Sequence, residues 1–414
     1  MIHLVMGVSS AGKSAFIQSQ LEAGQWRDLP LYMAYELDRE APDPRLAADC
    51  VIHYSLFRPF HNRADQIDQP LTADPILRAL LDQADRLQAY LVVSPRAVVA
   101  HRMLNRAHAR VEPGLRAQSP LYRSDEIFEL LCALDWVDFH QRWIELLRSC
   151  GVAPRFVQAE GGQFRLLESA RAALAIVADA RPVTYAPAEI DAVLRAYHFE
   201  YQRIAVAGGQ VTAGQDRSAT ARLIDADLTG RSLLDIGCGY GYFCFEAEDR
   251  GATRVLGTEL KPHRYLGCLV LRELLGRRAQ FLRRDLFSEP LAEVFDVVLL
   301  LNVIHHLKEP VRGLRLAAQY CREKLIIEFP TLADPKFHAS LPAKYRSPAY
   351  QGPAWMDPDL PLIGVSLLTG QDQTFLFSPT AIFRILMEHE RLFSRIEFMP
   401  SPMAAERCVA ICYK

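Results

Sequence analysis

Leu233-Leu234-Asp235-Ile236-Gly237-Cys238-Gly239-Tyr240-Gly241 decides the fold of the C-terminal half of this 414-residue chain. An apolar run ends in one acid and then in three glycines at alternate positions. A helix-patterned segment follows, as far as Glu248. This pattern describes a buried strand, a turn that lets backbone approach a ligand, and a helix whose first N–H groups face that turn. Further strand-like runs come at regular spacing: Arg254–Thr258, Ala279–Leu282, Val294–Leu300 and Lys324–Glu328. Helical segments between them predict a parallel sheet covered by helices. The tail reads as a helix over Ser378–Met387 and a hairpin of Arg395–Met399 with Cys408–Tyr413.

Acidic residues fall in register with this frame. Glu259 ends the strand after the glycines, at the spacing of about 20 residues where an acid meets ribose hydroxyls in nucleotide-binding α/β folds. Asp285 follows the next strand in Arg283-Arg284-Asp285-Leu286, and Phe295–Asn302 is the fourth strand. Together these motifs resemble class I S-adenosylmethionine (SAM) dependent methyltransferases, over roughly Leu228 to Glu328. The resemblance implies that Gly237, Cys238, Gly239 and Gly241 bring the backbone to the amino-acid part of SAM, and that Asp235 fixes the loop or accepts from the methionine ammonium. It implies that Glu259 and Leu260 meet the ribose, that Asp285 and Leu286 read the adenine, and that Asn302 lies where the methyl reacts. Methyl transfer is an in-line displacement, so positioning can carry most of its catalysis. The stretch from Leu228-Thr229-Gly230-Arg231 through Asn302–Pro310 looks most like the family that modifies the wobble uridine of tRNA with a methyl or carboxymethyl group. His305 and His306 follow the fourth strand. His306 is the candidate to deprotonate a hydroxyl, because imidazole is poised near neutral pH. A histidine that packs on the cofactor or caps the next helix is the alternative.

The N-terminal half carries a second glycine loop, Gly7-Val8-Ser9-Ser10-Ala11-Gly12-Lys13-Ser14. It matches G-x-x-x-x-G-K-[ST] between a strand, Ile2–Met6, and a helix, Lys13–Leu21. The backbone N–H groups of Gly7, Ser9, Ser10, Ala11 and Gly12 would face the phosphates of ATP. Lys13 would neutralise them, and Ser14 would hold Mg²⁺. Further strands read at Leu31–Tyr35, Val51–Tyr54, Leu87–Val93 and Arg155–Gln158, with helices at Ala97–Arg110, Glu126–Cys150 and Leu166–Ala180. Arg102, Arg106 and Arg110 recur every four residues and share one helix face beyond Arg96. They resemble the lid arginines of small P-loop kinases of the gluconate, shikimate and nucleoside kinase type. A solvated basic face is the alternative. Asp38 or Glu36 is the candidate base for an acceptor hydroxyl. His53 ends the third strand, just before Tyr54 and Ser55, where many P-loop proteins place an acidic magnesium ligand. That departure leaves open how Mg²⁺ is held, and a hydrogen-bonded core histidine is the plain reading.

Length favours two domains. The two prolines of Arg181–Pro187 mark the boundary. This gives a P-loop NTPase/kinase-like domain over 1–182 and a Rossmann-like SAM methyltransferase domain over 188–414, both doubly wound α/β. The second opens with a helical segment, Ala188–Val206, and a glycine-rich stretch, Gly208–Gly214. Pro330–Pro361, with Tyr345, Tyr350 and Trp355, reads as an inserted lid or substrate loop. A net charge of −2 lacks the footprint of a dedicated nucleic-acid binder. Nine cysteines without a paired CxxC read as free thiols of a reducing compartment. No leader-like start and no membrane-length apolar run is present, so a cytoplasmic protein is expected.

Fusion of the two loops suggests consecutive steps. An acceptor hydroxyl, on a sugar or glycan, is phosphorylated with ATP, and SAM then methylates the phosphate or a nearby hydroxyl. A phosphate is already anionic near pH 7, so that methylation needs cations rather than a strong base. Lys261, His263, Arg264, Arg283, Arg284 and Lys308 lie near the predicted cofactor-side loops. The alternative is an RNA (tRNA) modifying methyltransferase with an accessory ATP-binding P-loop domain. A non-catalytic nucleotide sensor is a third reading.

Overall fold

The computed structural model describes residues 1–37, 43–58, 70, 74–108, 122–334, 359–365 and 375–414. The chain divides into two compact units, Met1–Ala196 and Tyr197–Lys414.

In the first unit, strands β1 (Ile2–Gly7), β2 (Leu31–Met33), β3 (Cys50–Ser55), β4 (Leu87–Val93), β5 (Arg155–Glu160) and β6 (Gln163–Leu167) form one sheet in the order β2-β3-β1-β4-β5-β6. The first five are parallel, and β6 returns antiparallel along β5. The helices are α1 (Lys13–Glu22), α2 (Pro75–Leu81), α3 (Arg96–His108), α4 (Tyr122–Ala133), α5 (Trp136–Ser149), α6 (Ala170–Val177) and α7 (Pro187–Tyr197). Ile2, Leu4, Val5 and Met6 of the central strand are wholly buried, each worth about 1.5–3 kcal/mol. The chain leaves β1 toward one sheet edge and β3 toward the other. The crevice at their carboxyl ends is therefore the topological switch point, where open α/β sheets bind ligands.

Three sequence expectations change here. The helix read over Leu166–Ala180 starts at Ala170, because Ser169 Oγ caps it by accepting from Ala172 N at 3.2 Å. Ahead of it, Gly161 and Gly162 at φ 56° and 79° turn the chain into the antiparallel β6. The single helix read over Glu126–Cys150 is two, α4 and α5. Asp135 caps the second, accepting from Val137 N at 3.1 Å and Asp138 N at 2.9 Å. Third, α7 belongs to the first unit, past the Pro-rich stretch read as the boundary. Glu189 ties it there, accepting from Asn105 Nδ2 at 2.6 Å and lying 3.2 Å from His101 Nε2.

The second unit is built on a sheet of seven strands: β7 (Ser232–Ile236), β8 (Arg254–Thr258), β9 (Gln280–Leu282), β10 (Phe295–Leu301), β11 (Cys321–Pro330), β14 (Arg395–Pro400) and β15 (Arg407–Tyr413). Their order is β14-β15-β11-β10-β7-β8-β9. The five from β11 to β9 are parallel, and the C-terminal hairpin adds antiparallel to β11. A separate pair joins β12 (Ile363–Val365) to β13 (Phe375–Phe377). The helices are α8 (Ser218–Ala221), α9 (Tyr242–Asp249), α10 (Pro262–Leu275), α11 (Pro310–Tyr320) and α12 (Pro379–Phe383), the last continuing into a wider π turn over Arg384–His389.

β10 is buried at every position. Its one charge, Asp296, is satisfied by Ser232 N at 2.8 Å, Ser232 Oγ at 2.7 Å and an ion pair with Arg322, as a buried carboxylate requires. The helix expected over Ala188–Val206 ends at Tyr197. The proposed insert lies mostly outside the described residues, including Tyr345, Tyr350 and Trp355. Among the described residues, no helix is long and apolar enough to cross a membrane.

Candidate functional site

In the second unit, a cavity of about 580 Å³ opens at the carboxyl ends of β7, β8 and β10, a size suited to a cofactor. Gly237, Glu259, Leu260, Asp285, Leu286, Asn302 and His306, all expected from the sequence, line it. Glu259 is 7% exposed and bridges two turns: its Oε2 accepts from Gly239 N at 3.1 Å and its Oε1 from Lys261 N at 2.9 Å. The carboxylate is thus fixed before any ligand arrives. Asp285 Oδ1 accepts from Phe287 N at 3.0 Å and holds the next loop. Lys261, Arg264 and Arg284 line the cavity; His263, Arg283 and Lys308 do not.

The glycine loop is held from beneath and from one side. Asp235 and Cys238 are each 1% exposed and lie outside the cavity lining. Burial pushes the Asp235 carboxyl well above its usual range, reinforced by Cys238 and Glu259. Its place is under the loop, with Cys244 Sγ at 4.0 Å. Cys268 Sγ donates to Gly239 O at 3.0 Å. Gly241, at φ 87°, caps α9.

Two residues that the sequence reading missed close the side. Gln202, 4% exposed, accepts from Tyr240 N at 2.7 Å and donates to Cys238 O at 3.3 Å. Tyr201 lines the cavity under the Arg264 guanidinium, which lies 4.0 Å from its ring centre. Gly239 sits against both: a Cβ there would lie 2.9 Å from Tyr201 Cε1 and 3.0 Å from Gln202 Oε1, at φ +64°. Phe199-Glu200-Tyr201-Gln202 follows a helix without any motif, so only the tertiary fold brings it to the loop.

At the end of β10, Asn302 adopts φ 58°. Its Nδ2 donates to Glu328 Oε2 at 2.5 Å, and its Oδ1 accepts from Arg407. Glu328, wholly buried at the end of β11, also accepts from Ser401 Oγ. Asn302 is therefore oriented by a network drawn from three strands and their loops. His306 is exposed at the cavity wall, and its ring packs 4.0 Å from that of the buried His305.

The first unit has its own cavity of about 760 Å³ at the switch point of its sheet. Ser9, Ser10, Gly12, Lys13 and Ser14 line it, with Gly7 ending β1 and Ala11 buried behind. Ser10 at φ 64° and Gly12 at φ 106° curl the loop into the left-handed turns from which backbone N–H groups make an anion-binding hollow. A Cβ on Gly12 would lie 2.8 Å from Ala159 Cβ. Lys13, 4% exposed, donates to Val8 O at 2.7 Å across the loop.

Arg102, expected as a phosphate-facing cation, lines the same cavity, and its guanidinium also engages the loop's backbone. It donates to Ser10 O, Ala11 O and Ser94 Oγ, each at 3.3 Å, and to Ala159 O at 3.2 Å. It braces the loop from the cavity side, and burial lowers its pKa. Asp38, Arg110 and the side chain of Arg106 lie outside the described residues. Glu36 caps a turn by accepting from Met33 N at 3.0 Å, away from the cavity lining.

His53 lines the cavity, with its Nε2 3.3 Å from Ser14 Oγ. His101 and Asn105, missed in the sequence, also line it and are gripped by Glu189. Burial pulls Glu189 upward, but bonds from Ala186 N, His101 and Asn105 outweigh it and hold the carboxyl below its ordinary range. All nine cysteines of the chain are free thiols.

The C-terminal unit thus has the Rossmann-like α/β fold of the methyltransferase class, with its cavity at the glycine turn. Residues 213–359 match a family described as a methyltransferase domain, so the C-terminal region carries such a domain. Part of the chain is similar to the tRNA U34 carboxymethyltransferase of Saccharophagus degradans, 30% identical over 116 residues, 25% of this chain and 35% of that protein. The enzyme of the same description from Klebsiella pneumoniae subsp. pneumoniae is 36% identical over 90 residues, 21% of this chain and 26% of its own. The chain spans about a third or less of the length of these curated relatives. Among solved structures, the N-terminal domain of EvdMO1 with SAH bound aligns at a TM-score of 0.41 and 17% identity, covering 56% of this chain and 98% of that domain.

Proposed function

We propose that the second unit binds SAM in its cavity and transfers the methyl group to an oxygen acceptor, and that the first unit binds ATP and phosphorylates a hydroxyl of the same acceptor, a sugar or glycan. The observation that carries the methyltransferase reading is Glu259. Its carboxylate is pinned by Gly239 N and Lys261 N at the cavity wall, which leaves its remaining lone pairs for two ribose hydroxyls. Asp285 and Leu286 would meet the adenine, and Gly237 and Asn302 the amino-acid side. In the transfer the S–CH₃ bond breaks as the O–CH₃ bond forms, and S-adenosylhomocysteine leaves. Lys261, Arg264 and Arg284 would hold an anionic acceptor, and His306 would take the proton where the acceptor is a hydroxyl.

In the first unit, the loop's N–H groups and Lys13 would bind the phosphates, and Ser14 would hold the accompanying Mg²⁺. That ion would shield the phosphate charge. His101, oriented by Glu189, is placed to take the acceptor's proton. Labelled ATP and candidate glycans, with and without SAM, test the scheme. Phosphate and methyl label should accumulate in sequence on one product. Methylation that proceeds equally well without ATP and survives Lys13→Ala would refute the coupled reading.

A second reading has the partial likeness to tRNA U34 carboxymethyltransferases in its favour. There the acceptor is a tRNA base and the first unit is an ATP-dependent accessory. Salt-sensitive binding of tRNA to the purified chain would favour it over the glycan reading.

A further inference from the structure

Resting on the phosphate-loop reading of the first unit, we infer that its nucleotide-bound cation is held by Ser14 Oγ together with His53 Nε2. The site accordingly prefers imidazole-accepting ions, Mn²⁺ and Co²⁺, to Mg²⁺. The two atoms stand 3.3 Å apart, on different elements of the fold. Ser14 is in the first turn of α1 and His53 is near the end of β3. Neighbouring ligands of an octahedral ion with bonds near 2.1 Å lie about 3 Å apart, so one ion can take both atoms as adjacent ligands after a small adjustment.

Position and exposure agree with this. His53 and Ser55 alternate along β3 and therefore share a face, and both line the cavity with Ser14. Ser55 Oγ is shielded and has no hydrogen-bond partner among the described residues, which supplies a further polar group beside the same spot. Among the described residues, no group of three or more His, Cys, Asp or Glu could hold a metal unaided. The ion would thus arrive with the nucleotide, whose phosphate oxygens and waters complete its shell.

The chemistry sets the preference. Mg²⁺ favours oxygen ligands, whereas a neutral imidazole nitrogen binds first-row transition ions better. Replacing an acid by an imidazole also removes a negative charge, which weakens the hold on a hard cation in particular. ATP should therefore bind the full chain about tenfold more tightly with Mn²⁺ or Co²⁺ than with Mg²⁺, and His53→Asp should largely abolish that margin.

The direct test is pulsed electron paramagnetic resonance of Mn²⁺–ATP on the full-length, ¹⁵N-labelled protein. The label separates protein nitrogen from that of the nucleotide base. An imidazole-sized ¹⁵N coupling is expected, and it should vanish in His53→Ala. Mn²⁺–ATP that binds the wild-type protein with no such coupling would overturn the assignment, and this outcome needs no variant to fold. Equilibrium dialysis keeps the two layers apart. If ATP does not bind with any ion, or Lys13→Ala leaves its affinity unchanged, the phosphate-loop reading itself fails and takes this inference with it.

Discussion

Replacing Gln202 by alanine should weaken SAM binding without touching any residue of the glycine motif. The amide of Gln202 satisfies two backbone groups of the loop, Tyr240 N–H at 2.7 Å and Cys238 C=O at 3.3 Å. It is 4% exposed, so water is poorly placed to substitute. An orphaned buried donor costs about 1–3 kcal/mol, and the longer bond to the carbonyl contributes less. If about 2 kcal/mol of this falls on the ligand-ready geometry of the loop, the dissociation constant for SAM rises about 30-fold. Gln202→Glu keeps an acceptor for Tyr240 N–H but sets a carboxylate oxygen against Cys238 O, and should be weakened as well. Calorimetric titration of SAM and S-adenosylhomocysteine into the full chain measures the effect. Thermal unfolding of the same samples reports whether the second unit is intact. A folded Gln202→Ala protein with SAM affinity within about twofold of wild type would refute the claim that this side chain sets the loop.

Further outcomes follow from other sites. In the first unit, His140 is fully buried and lies 2.8 Å from Trp136 O, so Nδ1 carries the proton. Its Nε2 has no partner among the described residues, and burial lowers its pKa from 6.5 to about 4. The unfolded chain therefore binds a proton that the native state refuses. The stability from neutral His140 is fully present above pH 6.5 and is lost as pH falls toward 4, by about 3 kcal/mol in all. Urea unfolding at pH 7 and 4.5 should show a smaller acid loss in His140→Leu than in wild type; equal losses would count against it. Glu328→Ala strands Asn302 Nδ2 and Ser401 Oγ, and should cost about 3 kcal/mol in denaturant unfolding of the second unit. Gly12→Ala combines a left-handed backbone with a 2.8 Å approach to Ala159 Cβ, together about 2–4 kcal/mol. On the proposed ATP-binding reading, titration with a fluorescent ATP analogue should show binding largely lost, whereas wild-type affinity would mean that the loop shifts freely.

The turns at Gly7–Ser14 and at Asp235–Gly241 were both legible in the sequence, as were the parallel sheets behind them. Their signals are local: an apolar run, glycines at fixed offsets and a helix pattern need no partner to be read. Glu259, Asp285 and Asn302 were legible for a related reason, since each ends a strand and all parallel strands of one sheet end on the same side. Residue chemistry alone could not say what each group does once packed. Arg102 reads as a cation for a phosphoryl group or a solvated face; it lines the cavity, yet it also engages the carbonyls of Ser10, Ala11 and Ala159, which no spacing foretold. Asp235 reads either as a brace of the loop or as a ligand contact, and only its burial outside the cavity lining favours the first. Gln202, Glu328 with Arg407, and the Glu189–His101 pair come from segments 26 to 105 residues from the groups they hold. No periodicity or motif marks such pairings, because they are made by the crossing of elements and not by spacing along the chain. The sequence by itself determined the two loops and the sheets that present them. Tertiary packing decided which side chains brace those loops and which face the cavities, including the meeting of Ser14 and His53.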